Sequence, residues 1–373
     1  MAQYEASPSE VQQFLENGTL SQSTQNAIQS LLEQNAPVTV LEDEAKGTDS
    51  TSEGIISQPN TQFNNAVFEN VEVAVIDEGA SGRVGFTSEN GVTTDINTPS
   101  GLAIDIKNDA DNEVLWHGGQ ANITTGDGND EFRVEGPVKG EIKTGSGNLD
   151  LTLDQTAQEQ AEISVDAGDG FDLLRLFGDS IKHSFQFNGG KFQMHSAGVT
   201  MTGVNVVATD VNMDGKIENG VDHITILASN EKESLIAKLY KVALGRDAID
   251  GEDGWSPDGT GDTLGGLNWW LTQFELQPGN DGSIDFLVRS FLNCDEFHDK
   301  YDAMSNREYL LAIGKNIGLS EEEFSGKEQF DTYLRALDAG TMTREDVVYE
   351  VVKSDEVVQL LGADGQCYVI DGF

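Results

Sequence analysis

Two nonapeptides combine glycine and aspartate at fixed positions, Thr125-Gly-Asp-Gly-Asn-Asp-Glu-Phe-Arg133 and Ala167-Gly-Asp-Gly-Phe-Asp-Leu-Leu-Arg175. The glycines permit positive φ, so that main-chain carbonyls can turn toward a ligand, and the aspartates add carboxylate oxygens. Oxygen atoms of both kinds are the ligands that Ca²⁺ prefers. The pattern therefore predicts calcium binding, with half a site in each nonapeptide. The candidate ligand positions are Gly126, Gly128, Asp130, Gly168, Gly170 and Asp172.

A third, imperfect copy lies between the two, Thr144-Gly-Ser-Gly-Asn-Leu-Asp150. Leu149 occupies the position of the liganding aspartate, and Asp150 is displaced by one residue. We interpret this copy as a degenerate half-site with Gly145, Gly147 and Asp150 as its candidate ligands.

The spacing of the copies predicts how their turns are arranged. The Gly-x-Gly starts fall at 126, 145 and 168, which are separated by about two nonapeptides. We expect these turns to line one edge of a roll, while ion-free turns such as His117-Gly-Gly119 and Glu135-Gly-Pro137 line the other. Ordinary Asp/Gly-rich hairpin turns are the alternative interpretation.

The nonapeptides resemble the repeat of RTX-type, hemolysin-like proteins, which form a calcium-binding parallel β-roll. The resemblance implies Ca²⁺ as cofactor and a secreted protein at the extracellular cell surface. The start of the chain, Met1-Ala-Gln-Tyr-Glu-Ala6, lacks the features of a cleavable signal peptide. We therefore expect export by type I secretion machinery, and the apolar-ending tail 367–373 resembles the terminus of such substrates.

A further calcium loop is predicted at residues 210–218. Asp210, Asn212 and Asp214 occupy positions 1, 3 and 5 of an EF-hand-type loop, and Glu218 follows. Because strand-like sequence precedes this loop and position 12 is valine, a solvated Asp/Gly turn is the alternative. The acidic insertion at 250–262 is a weaker candidate for an ion site.

Composition limits the partners of the chain. Its 65 acidic and 22 basic residues give a formal net charge of −43, which argues against nucleic acid or an anionic membrane as partner. No apolar run is long enough to span a bilayer, so we expect no membrane insertion. Self-repulsion on this scale predicts that the β region folds poorly without calcium.

Signals for catalysis are weak, and we expect no enzyme. The five histidines are scattered without a His-Glu-x-x-His pair that would hold zinc. Phe177-Gly-Asp-Ser180 resembles an esterase nucleophile block, but it follows the third glycine turn and lacks a partner Asp-x-x-His. A turn at the end of the roll is the better interpretation.

The pattern of apolar residues predicts a multidomain β + α chain. We expect an N-terminal helical hairpin at 1–37, a flexible acidic linker at 38–64, a β-rich domain with the calcium-binding β-roll at 65–229, and an all-α domain with a secretion-signal-like tail at 230–373. The hairpin is too small to fold alone and should dock on the chain or on a neighbouring molecule.

The helical region resembles a domain of unknown function that recurs in type I-secreted bacterial surface proteins. The matching elements are Leu239-Tyr-Lys-Val-Ala-Leu-Gly-Arg246, Asp262-Thr-Leu-Gly-Gly-Leu-Asn-Trp269 and Phe291-Leu-Asn-Cys-Asp-Glu-Phe297. Cys294 stands where that domain usually has serine. The resemblance implies a surface or matrix context without catalytic residues. We interpret the Tyr, Trp and Arg of the matching elements as residues of helix packing and of a structural ion pair.

Together these patterns favour a calcium-dependent structural protein of a surface layer, extracellular filament or matrix that forms a homo-oligomer or polymer. The alternatives are an adhesin module that binds a surface glycan, or a carbohydrate-active enzyme with paired carboxylates on adjacent turns of the roll.

Overall fold

The computed structural model describes residues 3–17, 20–178, 185–188, 191–194, 198–210, 223–228, 231–246, 270, 283–355, 357 and 367–371. The chain divides into two compact units, Met1–Gly215 and Lys216–Phe373, and each is described by itself.

The first unit is a parallel β-solenoid of about seven turns preceded by two helices. Its helices are α1 (Pro8–Asn17), α2 (Gln22–Gln34) and α3 (Gln155–Gln160). Its strands are β1 (Gln3–Glu5), β2 (Val38–Leu41), β3 (Glu44–Asp49), β4 (Gly54–Ser57), β5 (Gln62–Glu69), β6 (Val73–Ile76), β7 (Ser81–Thr87), β8 (Thr93–Asn97), β9 (Ser100–Ile106), β10 (Glu113–Thr124), β11 (Asp130–Lys143), β12 (Leu149–Leu153), β13 (Glu162–Asp166), β14 (Leu173–Phe177), β15 (Phe185–Asn188), β16 (Lys191–Met194), β17 (Thr200–Thr202) and β18 (Val206–Asp210).

Most of the strands form two parallel sheets that face each other, and β1 pairs antiparallel with β2 at the start of sheet 1. Sheet 1 contains β2, β4, β6, β8, the first halves of β10 and β11, β12, β14 and β18. Sheet 2 contains β3, β5, β7, β9, the second halves of β10 and β11, β13 and β17. Strands β15 and β16 add an antiparallel excursion beside β17. The parallel β-solenoid predicted from the sequence is therefore confirmed.

Alternating side chains fill the space between the sheets. Because successive residues of a strand point to opposite faces, one residue in two enters the core. The inward columns are Phe132, Leu151, Leu174 and Val207 on sheet 1 and Ile104, Ile123, Ile142 and Val165 on sheet 2, all of them buried. Burying each large apolar side chain contributes about 1.5–3 kcal/mol, so the stacked columns hold the turns in register.

The N-terminal hairpin docks on the outer face of sheet 1. Its residues Val11, Ile28 and Leu31 form one buried cluster with Val38, Val40, Ile56, Val73 and Val75. Ser7 and Glu10 make the predicted capping-box contact, in which Glu10 Oε2 accepts from the Ser7 N–H at 2.8 Å. The sequence left two docking partners open, the chain itself and a neighbouring molecule. The structure shows the hairpin docked on the chain's own solenoid.

Residues 38–64 do not form the predicted flexible linker. They form β2, β3, β4 and the start of β5, which are the first turns of the solenoid. The acidic and Ser/Thr-rich composition misled the prediction, because polar side chains alternate here with buried Val38, Val40, Ala45, Ile55 and Phe63.

The second unit is mostly helical. Its elements are β19 (His223–Leu227), α4 (Glu231–Leu239), a π-helical turn (Tyr240–Leu244), α5 (Ile284–Leu292), α6 (Asp295–Tyr301), α7 (Asn306–Asn316), α8 (Glu321–Ser325), α9 (Glu328–Asp338), α10 (Arg344–Val352) and β20 (Cys367–Asp371). Strands β19 and β20 pair antiparallel, so the prediction of an all-α domain from residue 230 onward is corrected. The tail forms a strand because β19 supplies its backbone partners.

Motif residues of the helical unit pack as the structural interpretation predicts. Arg246 makes two contacts of 2.9 Å with the carboxylate of Glu296 and lies 4.9 Å from the ring centre of Tyr240. Tyr240 packs edge-to-face against Phe291. Cys294 is a free, half-buried thiol at the start of α6. These contacts join the first and third motif elements.

The docked hairpin should contribute to the stability of the first turns. Ile28→Ala removes a buried side chain from the cluster between α2 and sheet 1, so we expect the free energy of unfolding to fall by about 2–5 kcal/mol. Gln29→Ala, on the exposed side of the same helix, should change it by about 0.5 kcal/mol or less. Chemical denaturation checks both variants, and equal stabilities would contradict the docking.

Candidate metal centre

The three glycine turns stack on one edge of the solenoid. The Gly145 N–H donates to Gly126 O at 2.9 Å, and the Asp169 N–H donates to Gly145 O at 3.3 Å. The turns at 117–119 and 135–137 lie on the opposite edge, where the Thr98 N–H donates to His117 O at 3.1 Å and the Gly136 N–H donates to Asp154 Oδ1 at 3.1 Å. The arrangement predicted from the spacing is therefore present.

Close approach of successive turns explains the glycines. A Cβ atom on Gly126 would clash with Asn108 O, and one on Gly168 would clash with Gly145 O. Gly168 also has a φ of +77°, which disfavours other residues. The remaining candidate glycines Gly128, Gly145, Gly147 and Gly170 would each bring a Cβ against a main-chain carbonyl of the preceding turn. Main-chain carbonyls thus lie against the glycine row along the whole edge.

Asp130 points into this edge and is satisfied by protein donors. Its Oδ1 accepts from the N–H of Asn112 at 3.1 Å and from Asn112 Nδ2 at 2.7 Å, and its Oδ2 accepts from Thr125 Oγ1 at 2.6 Å. Burial raises the pKa of this carboxyl above its ordinary value, and the three hydrogen bonds offset part of that increase. Asp130 therefore has a complete set of partners within the protein.

Asp172 also points inward but is only half satisfied. Its Oδ1 accepts from the Leu149 N–H at 2.8 Å, whereas Oδ2 is buried without a hydrogen-bond partner. Burial raises the pKa of Asp172 to about 8 from its ordinary 3.8. A buried oxygen without a donor is costly, and a cation or a proton would relieve that cost.

A ladder of side-chain hydrogen bonds connects these residues. Each inward Asn or Asp accepts a hydrogen bond from the backbone N–H of the matching residue one turn earlier. The pairs of donor and acceptor are Val92 and Asn112 (3.0 Å), Asn112 and Asp130, Leu149 and Asp172, and Asp172 and Asn205 (2.8 Å). Leu149 cannot accept, so the Asp130 N–H donates instead to Asn148 O at 2.8 Å. The ladder explains why polar side chains are buried here.

A second ladder runs along the exposed side of the same turns in the opposite direction. The Asn148 N–H donates to Asn129 Oδ1 at 3.1 Å, and the Phe171 N–H donates to Asn148 Oδ1 at 2.9 Å. The Ser146 N–H likewise donates to Asp127 Oδ1 at 2.9 Å. The sequence prediction missed Asn112, Asn129, Asn148 and Asn205. Their signal was present as an Asn or Asp at matching positions of successive turns.

Asp150 is not part of the inward row, which corrects its prediction as a ligand. Its side chain lies on the outer face of sheet 1, where Arg175 Nη2 contacts Oδ2 at 2.6 Å and Nε contacts Oδ1 at 2.8 Å. The physical reason is the period of two along a strand: Leu149 is inward, so Asp150 must face outward.

The predicted loop at 210–218 is only partly within the described residues. Asp210 ends β18, is buried and pairs with Phe177 of β14. Asn212, Asp214 and Glu218 lie outside the described residues, as does the insertion at 250–262. Asp210 lies beside the last residue of β14, whereas the glycine row lies before the first residue of that strand.

Among the residues that the structure describes, no group of three or more His, Cys, Asp or Glu side chains is placed to hold a metal ion. A cation at the glycine edge would therefore depend on one carboxylate and on main-chain carbonyls. Asp172 fits that role because one of its oxygens is unsatisfied, whereas Asp130 does not need a cation.

His117 is the histidine of sheet 1 with acidic neighbours. Its Nδ1 lies 3.0 Å from Glu135 Oε2, and its Nε2 lies 3.4 Å from Asp95 Oδ1. The neighbouring Asp95 raises the pKa of His117 despite partial burial. Asp95 Oδ2 also accepts from the Ser21 N–H of the hairpin at 3.2 Å, so this group ties α2 to the solenoid.

Comparisons with known proteins give no family. No protein-family model matches the chain, and neither a curated protein nor a solved structure shows significant similarity. Within the described ranges, no helix has both the length and the apolar composition needed to cross a bilayer.

Because one carboxylate oxygen of Asp172 is buried without a partner, we expect the free energy of unfolding to depend on pH. The folded protein holds a proton on Asp172 between about pH 4 and about pH 8 that the unfolded chain releases, so its stability falls as pH rises through this window. Asp172→Asn cannot lose a proton. With chelator present, the free energy of unfolding of the wild type should fall, relative to that of Asp172→Asn, by about 1 kcal/mol for each unit that the pH rises.

Urea denaturation at pH 5, 6, 7 and 8 measures this difference. The charge repulsion of the rest of the chain affects the wild type and Asp172→Asn alike, so it cancels when the two are compared. Asp109→Asn, on an exposed tip of the same edge, is the control and should follow the wild type. Parallel curves for the wild type and Asp172→Asn would contradict the assignment.

Proposed function

We propose that this protein is a secreted, calcium-dependent structural protein of a bacterial surface layer, extracellular filament or matrix. The observation that carries the proposal is the buried, unsatisfied oxygen of Asp172 on the glycine edge of a parallel solenoid. The likeness of the glycine turns to RTX-type repeats supports Ca²⁺ as the ion and type I secretion as the route.

Asp172 would hold the ion together with main-chain carbonyls of the glycine turns around Gly145, Gly147, Gly168 and Gly170. When bound, Ca²⁺ supplies positive charge that replaces the proton on Asp172. A hard divalent cation suits such an all-oxygen set. Asp172 itself positions its Oδ1 against the Leu149 N–H, which fixes the carboxylate between two turns.

The charge of the chain gives calcium a second effect. With a net charge of −43, the folded state suffers self-repulsion that bound cations would reduce. An ion that binds only the folded state contributes about 2.7 kcal/mol at a free concentration 100-fold above its Kd. We therefore propose that the solenoid folds fully only outside the cell, where calcium is abundant.

Calcium should raise the melting temperature of the purified protein relative to chelator, and Mg²⁺ at equal concentration should do so less, because Mg²⁺ demands stricter geometry. Asp172→Asn should lose most of the calcium-dependent increase, while Asp109→Asn should keep it. Circular dichroism melts with calcium, magnesium or chelator measure all three proteins.

Identical melting with calcium and with chelator would reject the cation proposal. Equal calcium effects in the wild type and Asp172→Asn would move the ion away from Asp172, for example to the loop at 210–218.

A second candidate function is a carbohydrate-binding or carbohydrate-active surface on sheet 1. Glu113, Glu131 and Asp150 stack in register on neighbouring strands, and desolvation together with the adjacent carboxylates raises the pKa of Glu131. However, Asp150 is engaged by Arg175, so a free carboxylate pair is limited to Glu113 and Glu131. Loss of polysaccharide binding or cleavage in Glu131→Gln would favour this candidate, and unchanged behaviour would count against it.

A further inference from the structure

The outer face of sheet 2 differs in charge from the chain as a whole. It carries five basic and six acidic side chains, whereas the full chain has 22 and 65. The basic residues are Lys46, Arg83, Lys107, Lys139 and Lys143, and the acidic ones are Glu44, Glu69, Asp105, Glu141, Glu162 and Asp166. The described residues of this face are therefore nearly neutral in a strongly acidic protein.

Two neighbouring strands of this face carry lysines beside carboxylates. On β11 the outward residues are Lys139, Glu141 and Lys143, and on the neighbouring β13 they are Glu162, Ser164 and Asp166. Lys139 pairs with Glu162 at 2.8 Å, and Lys143 pairs with Asp166 at 3.6 Å. The basic row, Lys139 and Lys143, thus runs beside the acidic row, Glu162 and Asp166, at the usual strand spacing of about 4.8 Å, and Glu141 lies beside Ser164 between the two pairs.

These side chains stay accessible to a partner although they pair with each other. Lys139 and Glu162 are each about two-thirds exposed, at 65% and 64%. Short residues lie near them on this face, with Ala103, Asn122, Ser164 and Thr200 in the column of Glu141 and Gly85, Thr124 and Thr202 in the column of Lys143 and Asp166. These short side chains leave the charged residues of β11 and β13 accessible to another sheet.

We propose that this face is the contact surface for a second copy of the chain, with β11 of each copy lying over β13 of the other. A two-fold axis parallel to the strands and midway between β11 and β13 produces this arrangement. It places Lys139 opposite the partner's Glu162 and Lys143 opposite the partner's Asp166, in a self-complementary contact.

Charge complementarity is what selects a second copy as occupant. Two chains of net charge −43 repel each other when most of their surfaces approach, so a nearly neutral face with paired rows gives the least repulsion. The inference rests on the proposed function, in which copies of the protein assemble, and it names the surface through which they do so.

The test uses two reciprocal variants of the full chain. Lys139→Glu with Lys143→Glu makes both rows acidic, and Glu162→Lys with Asp166→Lys makes both rows basic. Each variant alone should associate with itself roughly tenfold or more weakly than the wild type. A mixture of the two should associate, because the acidic rows of one then face the basic rows of the other.

Sedimentation velocity in calcium-containing buffer measures the wild type, each variant and the equimolar mixture. The variant with all four substitutions restores both the internal pairs and the proposed contacts, so it should associate like the wild type. Melting curves show that the variants fold, since exposed ion pairs contribute only about 0–1 kcal/mol each. Glu78→Lys with Glu89→Lys, at two exposed turns of the solenoid, is the matched control and should associate like the wild type.

The outcomes separate this inference from the proposed function. Association of the wild type that both reciprocal variants retain would overturn the contact surface while leaving assembly intact. A wild type that stays monomeric at millimolar calcium would overturn both this inference and assembly. Association through this face without any calcium effect on melting would support the inference and reject only the cation proposal.

Discussion

The structure depends on how the turns at the edges of the solenoid satisfy the hydrogen-bonding groups of their backbone. Within the sheets, parallel strands exchange hydrogen bonds, but the turns between them leave N–H groups without strand partners. Inward Asn and Asp side chains of one turn accept those N–H groups from the turn below, as Asn112 does for Val92 and Asp172 does for Leu149. The stack of turns, the glycine row and the candidate metal centre all follow from this requirement.

The same edge uses one set of residue types for a structural role and for the proposed metal-binding role. Asp130 has protein donors for both oxygens and works as part of the ladder. Asp172 has a donor for one oxygen, so the other is available for a proton or a cation. Leu149, between them, interrupts the row and separates the two carboxylates by a full turn. A motif match alone does not distinguish these two aspartates.

Much of the fold could be predicted from the sequence, and the misses have physical causes. Glycine spacing predicted the parallel solenoid and its two edges, because each turn must repeat the same backbone path. The segment 38–64 was mistaken for a linker because composition conceals an alternation of buried and exposed residues in short strands. Strand β20 was missed because its partner, β19, lies far away in sequence.

The amino-acid sequence alone specifies the period of the turns, the residues that can approach a carbonyl closely and the acidic excess of the chain. These are local or summed properties, and they do not require a partner to be known. The folded structure was needed to show which aspartate lacks a hydrogen-bond donor, that Asp150 faces outward to Arg175, and that basic residues of sheet 2 lie beside acidic ones. Those facts depend on which residues of different turns become neighbours, and stacking alone creates that proximity.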